Sequence, residues 1–182
     1  MNKITLLFLF MGSVLWAQSD GDSYFTRQGQ VFFFSYTSVE NIEASNNQVL
    51  CVLNESTGEI NVSVLMRAFV FKKKLMREHF NESYIESDLY PKATFTGKII
   101  GFDPEQQGEQ TRIVEGMFTL KNEEVPMSFK ANIDHADGTY TLVGTTETQV
   151  EKYPIKIPKL LTSNIAKDIQ ISFNFELSFY EE

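Results

Sequence analysis

Apolar and polar positions alternate along most of this chain, and the alternation runs longest at its carboxyl end. Ile169, Ile171, Phe173, Phe175, Leu177 and Phe179 fall on one side, with Gln170, Ser172, Asn174, Glu176 and Ser178 on the other. That period of two marks a half-buried strand. A second such strand carries Val125, Met127, Phe129, Ala131 and Ile133 on one face. It pairs as a hairpin with residues 113–120. Ile60, Val62, Val64, Met66, Ala68 and Val70 form a further alternating row, and Phe95 and Ile99 share a face of a strand starting at Ala93. Val49, Cys51 and Leu53 share one face of another. Val31-Phe32-Phe33-Phe34 is apolar on both faces, so it is either buried on both sides or lines a cavity and packs a helix behind it. Asn54-Glu55-Ser56-Thr57-Gly58 and Asp137-Gly138 supply turn chemistry, and residues 101–110 read as a polar turn. Residues 139–150 form a threonine-rich strand.

One stretch breaks the pattern. Leu75, Met76, His79 and Phe80 recur at the three- and four-residue spacing of a helical face, so a helix is expected over residues 74–80. Pro91 cannot donate a backbone hydrogen bond and biases Tyr90 towards an extended conformation. Pro154 and Pro158 confine their segment to an edge or an irregular connection, and residues 160–167 suit a short helical turn. The total is about eight strands, mostly joined by hairpins, with one helix placed mid-chain across an end. Long antiparallel strands of this kind remove their exposed edges by closing into a barrel. An eight-stranded barrel is wide enough either to be filled by side chains or to hold one slender ligand. Alternation alone does not choose between the two.

The first seventeen residues are of another kind. Lys3 precedes an apolar run over residues 4–14, and Ala17 stands before Gln18. This is the form of a signal peptide, 1–17, cleaved to leave one domain over residues 18–182 in the periplasm or outside the cell. The run is shorter than the roughly 20 residues needed to span a bilayer, so no transmembrane segment is expected in the mature chain. The formal net charge of −8 argues against nucleic acid or an anionic membrane surface as partner. Cys51 is the sole cysteine, so no internal disulfide is expected, and its apolar neighbours make it a small buried residue rather than a nucleophile. Homodimerisation stays open.

Catalytic materials are sparse. His79 and His135 are the only histidines, without metal-binding spacing, and neither a Gly-x-Ser-x-Gly elbow nor a glycine-rich phosphate loop is present. No catalytic residue, metal or cofactor is expected. Glu78 beside His79, with Glu82 a turn on, reads as solvated helix carboxylates and an imidazole packed at the helix–barrel junction. Asp134-His135-Ala136-Asp137-Gly138 has the start of a calcium loop without its later ligands, and reads as a hairpin turn.

Taken together, Leu75 to Phe80 with Tyr90-Pro91-Lys92-Ala93-Thr94-Phe95, the hairpin from Phe118-Thr119-Leu120 to Val125-Pro126, and Ile165-Ala166-Lys167-Asp168-Ile169 before the last strand resemble the YceI-like family. The resemblance covers essentially the whole mature chain. Two departures stand out. Asn122 occupies a turn where the family often has glycine, and asparagine tolerates positive φ. Lys152-Tyr153-Pro154-Ile155 replaces an Arg-x-x-Phe-Gly-like stretch, which bears on the shape of one barrel mouth and on head-group preference.

The resemblance implies an all-β, lipocalin-like barrel that binds a polyisoprenoid or similar long-chain lipid without catalysis. On that reading one hydrocarbon chain threads the barrel and touches Phe33, Val64, Met66, Phe95, Phe129, Phe173 and Phe175. Two other classes remain open: a solid barrel that docks a partner through its acidic surface, and a hydrolase or isomerase using Glu78 and His79.

Overall fold

The computed structural model describes residues 23–36, 41–157 and 167–179. The leader, and residues 160–166 of the expected helical turn, lie outside the described residues. Nine strands are present: β1 (Ser23–Ser35), β2 (Ile42–Asn54), β3 (Glu59–Leu65), β4 (Val70–Phe71), β5 (Lys92–Ile100), β6 (Gly108–Leu120), β7 (Glu123–Ala136), β8 (Thr139–Gln149) and β9 (Asp168–Phe179). All pairings are antiparallel, each long strand lies beside its sequence neighbours, and β1 pairs with both β2 and β9. The result is a closed eight-stranded barrel, to which β4 adds two residues along β2. Helix α1 (Lys74–His79) and the wide helical turn Phe80–Tyr84 lie across one end.

The hairpin turns follow from local chemistry. Asp137 and Gly138 both take positive φ (51° and 70°), as a two-residue turn between right-twisted strands requires. Lys121 and Asn122 do the same at the β6–β7 turn (53° and 64°). Asn122 thus tolerates the backbone that the family often gives to glycine. Lys121 has no such advantage and is held by its side chain. Its buried ammonium donates to the Tyr84 carbonyl at 3.0 Å and to Glu86 Oε2 at 2.5 Å, and it lies 5.3 Å from the Tyr90 ring. Glu86 is itself left-handed, at φ 57°. The pair ties the connection after α1 to the barrel rim.

Lys121, through its hydrogen bond first and its charge second, holds the Glu86 carboxyl below its ordinary value near 4.5. A depressed folded-state pKa contributes stability that is present above the unfolded value and lost as pH falls through the folded one. Glu86→Gln should therefore flatten the acid limb of stability, from about pH 5 downwards. Urea denaturation midpoints across that range check this. Parallel curves for variant and wild type would show that the tie carries no pH dependence.

The row expected from Ile60 to Val70 is interrupted, which corrects the sequence reading. Val64 pairs with Val49 but Val70 pairs with Ser45, so four steps along β2 answer six along its neighbour. A 3₁₀ turn, Met66–Ala68, takes up the extra residues. Asn46, fully buried, pins the site: its amide donates to the Leu65 carbonyl at 2.8 Å, and its oxygen accepts from the Gln48 amide at 2.8 Å. Beyond the turn the faces exchange. Phe69 is buried and Phe71 packs inward, while Val70 is 66% exposed.

Two other expectations need correction. Among the described residues no helix packs behind β1, because α1 lies over the barrel end; Phe32 is on the outer surface. Leu75, placed on one helical face with Met76, His79 and Phe80, points to solvent at 61% exposure. The segment at residues 101–110 is also less polar in role than in composition. Phe102 packs against Tyr140 at 5.7 Å, and Gln110 is buried, bonded to the Asp103 backbone.

The end of the barrel opposite α1 is solid. Leu53, Ile99, Ile133, Tyr140 and Leu177 are fully or almost fully buried there, and each such aliphatic side chain contributes about 1.5–3 kcal/mol. Tyr24 meets Tyr140 edge-on at 4.7 Å, and His135 stacks on Tyr140 at 4.0 Å. The Tyr140 hydroxyl donates to Glu55 at 2.7 Å, and burial first, then this carboxylate, push the phenol's pKa up. Cys51 is fully buried in this layer, and burial raises its thiol pKa strongly, so it is an inert apolar residue as expected.

Candidate functional site

Above the solid layer the barrel is hollow. A cavity of about 400 Å³ runs from there to the end covered by α1, within the roughly 300–1,000 Å³ usual for small-ligand sites. Its floor is set by a device read across five strands, β5 to β9. Gly97 of β5 and Gly116 of β6 are paired, and a Cβ on either would lie 2.7 Å from Phe95 Cζ. The missing side chains let the Phe95 ring lie flat against the sheet. From Phe95 the rings continue to Phe129 (5.5 Å), Phe173 (5.6 Å) and Phe175 (5.2 Å). Phe173 lies over Gly144 in the same way, with its Cζ 2.5 Å from where a Cβ would stand.

A second aromatic group closes the α1 side. Phe80 stacks on Phe33 at 5.7 Å and meets Phe69 at 5.7 Å and Phe71 at 5.0 Å. These rings come from β1, the stretch after the 3₁₀ turn, β4 and the helical turn, so the interruption at Asn46 is what aims two of them inward. Phe33, Phe129 and Phe173 face the barrel interior yet are only half-buried. Inward rings that stay accessible border a void rather than a packed core.

The barrel wall parts at one place. β7 pairs with β8 only from Ala131 to Ala136, although β6 follows β7 back to Glu123. Tyr153 reaches across from there. Its hydroxyl meets Thr148 Oγ1 of β8 at 2.8 Å, and its ring meets Phe118 of β6 at 5.9 Å. Burial raises the Tyr153 phenol, against a smaller opposing pull from Thr148. Ile155 and Ile157 follow it along the wall.

The sequence that builds this half-hollow barrel matches the YceI-like domain over residues 25–177. The chain belongs to the YceI-like family. Among solved structures, this YceI-like domain is similar to a polyisoprenoid-binding domain from Saccharophagus degradans implicated in plant cell wall breakdown. The two share 11% identity at a TM-score of 0.74, covering 87% of this chain and 98% of that one. It is also similar to Burkholderia cenocepacia BcnA (17% identity, TM-score 0.67, 81% and 95% covered). Campylobacter jejuni YceI gives 12% identity, a TM-score of 0.63, and 81% and 90% coverage. At these identities the likeness is one of fold. No protein of curated function matches the sequence.

All seven residues singled out in the sequence, Phe33, Val64, Met66, Phe95, Phe129, Phe173 and Phe175, lie on the wall of this one cavity. The threading expected for them is corrected, because the solid layer leaves a blind tube. Sequence reasoning missed Phe69 and Phe71, whose direction depends on the 3₁₀ turn, and Tyr153, Ile155 and Ile157, which sit in an irregular segment. Phe118 and Val62 were open to detection, since both continue inward rows. His79 is exposed at the cavity rim, and Glu78 pairs with Lys74 at 3.4 Å. The segment containing His135 forms the β7–β8 hairpin, and among the described residues no cluster suits a metal. Among the described residues no helix is long and apolar enough to cross a membrane.

Proposed function

We propose that this YceI-like domain binds one long-chain isoprenoid, or a similar amphiphile, in its barrel cavity and carries or stores it in the cell envelope without catalysis. The observation that carries the reading is an almost wholly apolar cavity bounded by half-buried phenylalanines. A hydrocarbon gains about 0.8 kcal/mol per methylene buried there. Phe and Met adapt to a flexible chain without polar contacts. The seven inward residues from Phe33 to Phe175 are the contacts proposed for it. The polyisoprenoid-binding neighbour supports the ligand class. The apolar run behind Lys3, ending at Ala17, supports export.

One experiment tests both parts. Protein recovered from the cell envelope should begin near Gln18, and its apolar extract should yield a long-chain lipid by mass spectrometry. After delipidation it should take up a long-chain isoprenoid. An intact Met1 terminus from cytosol would overturn export, and an empty extract with no uptake would overturn lipid binding.

A further inference from the structure

Among the polar residues on the cavity wall, Ser35 is the one whose polar atom is buried without a partner. Ser35 continues the inward row of β1 after Val31 and Phe33 and lines the cavity. It is 1% exposed, and its hydroxyl has no hydrogen-bond partner. A buried hydroxyl left unpaired is costly, and native interiors satisfy almost all such groups. The other polar pair on the wall, Thr148 and Tyr153, already bond to each other. Ser35 stands at the mouth end of its strand, opposite Ile42 and one step beyond Phe33, where the last atoms of a chain filling the blind tube would lie.

Charge is the second observation. Among the described residues the cavity wall contains no lysine, arginine, aspartate or glutamate. Lys121, the buried cation at the rim, is spent on Glu86 and the Tyr84 carbonyl. A diphosphate drawn in beside Ser35 would lose water with no lysine or arginine on the wall to pair with and only the exposed His79 at its rim, and burying that much charge costs far more than leaving one hydroxyl unpaired. A serine hydroxyl can donate to a carbonyl or accept from an alcohol.

We propose that Ser35 Oγ is the polar anchor of the cavity and that it selects a ligand ending in an uncharged hydroxyl or carbonyl over one ending in a phosphate or diphosphate. This rests on the lipid-binding reading and assigns its head-group class.

Delipidated wild type and Ser35→Ala are titrated with three probes of one chain length: geranylgeraniol, geranylgeranyl diphosphate and the hydrocarbon phytane. Wild type should bind the alcohol at least about tenfold more tightly than the diphosphate. Ser35→Ala should weaken the alcohol by about tenfold, as expected for one lost hydrogen bond in a dry site, and leave phytane unchanged. The empty variant should melt no lower than wild type, because it loses an unsatisfied group. Tighter binding of the diphosphate overturns the proposal. So does unchanged alcohol binding in Ser35→Ala, or an equal loss for alcohol and phytane, which would mark a structural role. Failure of wild type to bind any probe would instead overturn the lipid-binding reading itself, and this inference with it.

Discussion

Replacing Ala93 with tryptophan should abolish uptake of a long-chain isoprenoid by a protein that stays folded. Ala93 is buried on β5, pairs with Val64 and lines the cavity. An indole there projects into empty space rather than into packed neighbours, so the overpacking cost of core enlargement is largely avoided, and filling a void tends to stabilise. The ligand loses what the ring takes. On the order of four displaced methylenes at about 0.8 kcal/mol each come to about 3 kcal/mol, or on the order of a hundredfold in affinity. Val143→Trp is the matching change on the outer face of β8, where Val143 is exposed, and it should leave uptake as it was. A folded Ala93→Trp protein that still takes up the lipid would place the site outside this cavity.

Gly116→Val should be among the most damaging single substitutions in the barrel. A Cβ at this position meets the Thr96 carbonyl oxygen and lies 2.6 Å from Gly97 Cα as well as 2.7 Å from Phe95 Cζ. Two of the three obstacles are backbone and cannot rotate away. Steric insertion into a packed interior costs about 1–3 kcal/mol, and here β5 and β6 must also move apart. Thermal denaturation should show a Tm lower by several degrees up to roughly 12 °C. The Phe95 ring would be lifted off the sheet into the cavity, so uptake in the surviving folded fraction should fall too. A variant with wild-type Tm would mean that the flat ring and its glycine bed are not a constraint.

The strands that sequence alone places best are those with one unbroken neighbour, β7 along β6 and β9 along β8. On β7 and β9 every second residue keeps its side for the whole length, and the alternation of Val125 to Ile133 survives in the structure residue for residue. Period two fails where a distant side chain dictates local backbone. Nothing around Met66 announces the 3₁₀ turn, because its cause is Asn46, twenty residues earlier, which donates across to the Leu65 carbonyl and accepts from the Gln48 amide of its own strand. Phe69 and Phe71 therefore could not be assigned a side, although both help enclose the cavity. The solid lower half was equally hidden. Ile133, Tyr140 and Leu177 carry the same pattern as the residues lining the void, and only the summed volume of eight strands decides where filling stops. Ser35 looked like the end of an apolar strand, and its isolation shows only once its neighbours are in place.

The packed layer around Tyr140 has a consequence for traffic. A vessel sealed at one end admits its cargo lengthwise and must release it backwards, first in being last out. A lipid held as proposed would not reverse within the protein: its tail would point to the sealed end, and its other terminus would lie beside Ser35 and the α1 rim. On the proposed function, loading and unloading at the α1 end would then compete, and a donor and an acceptor would not be served there at once.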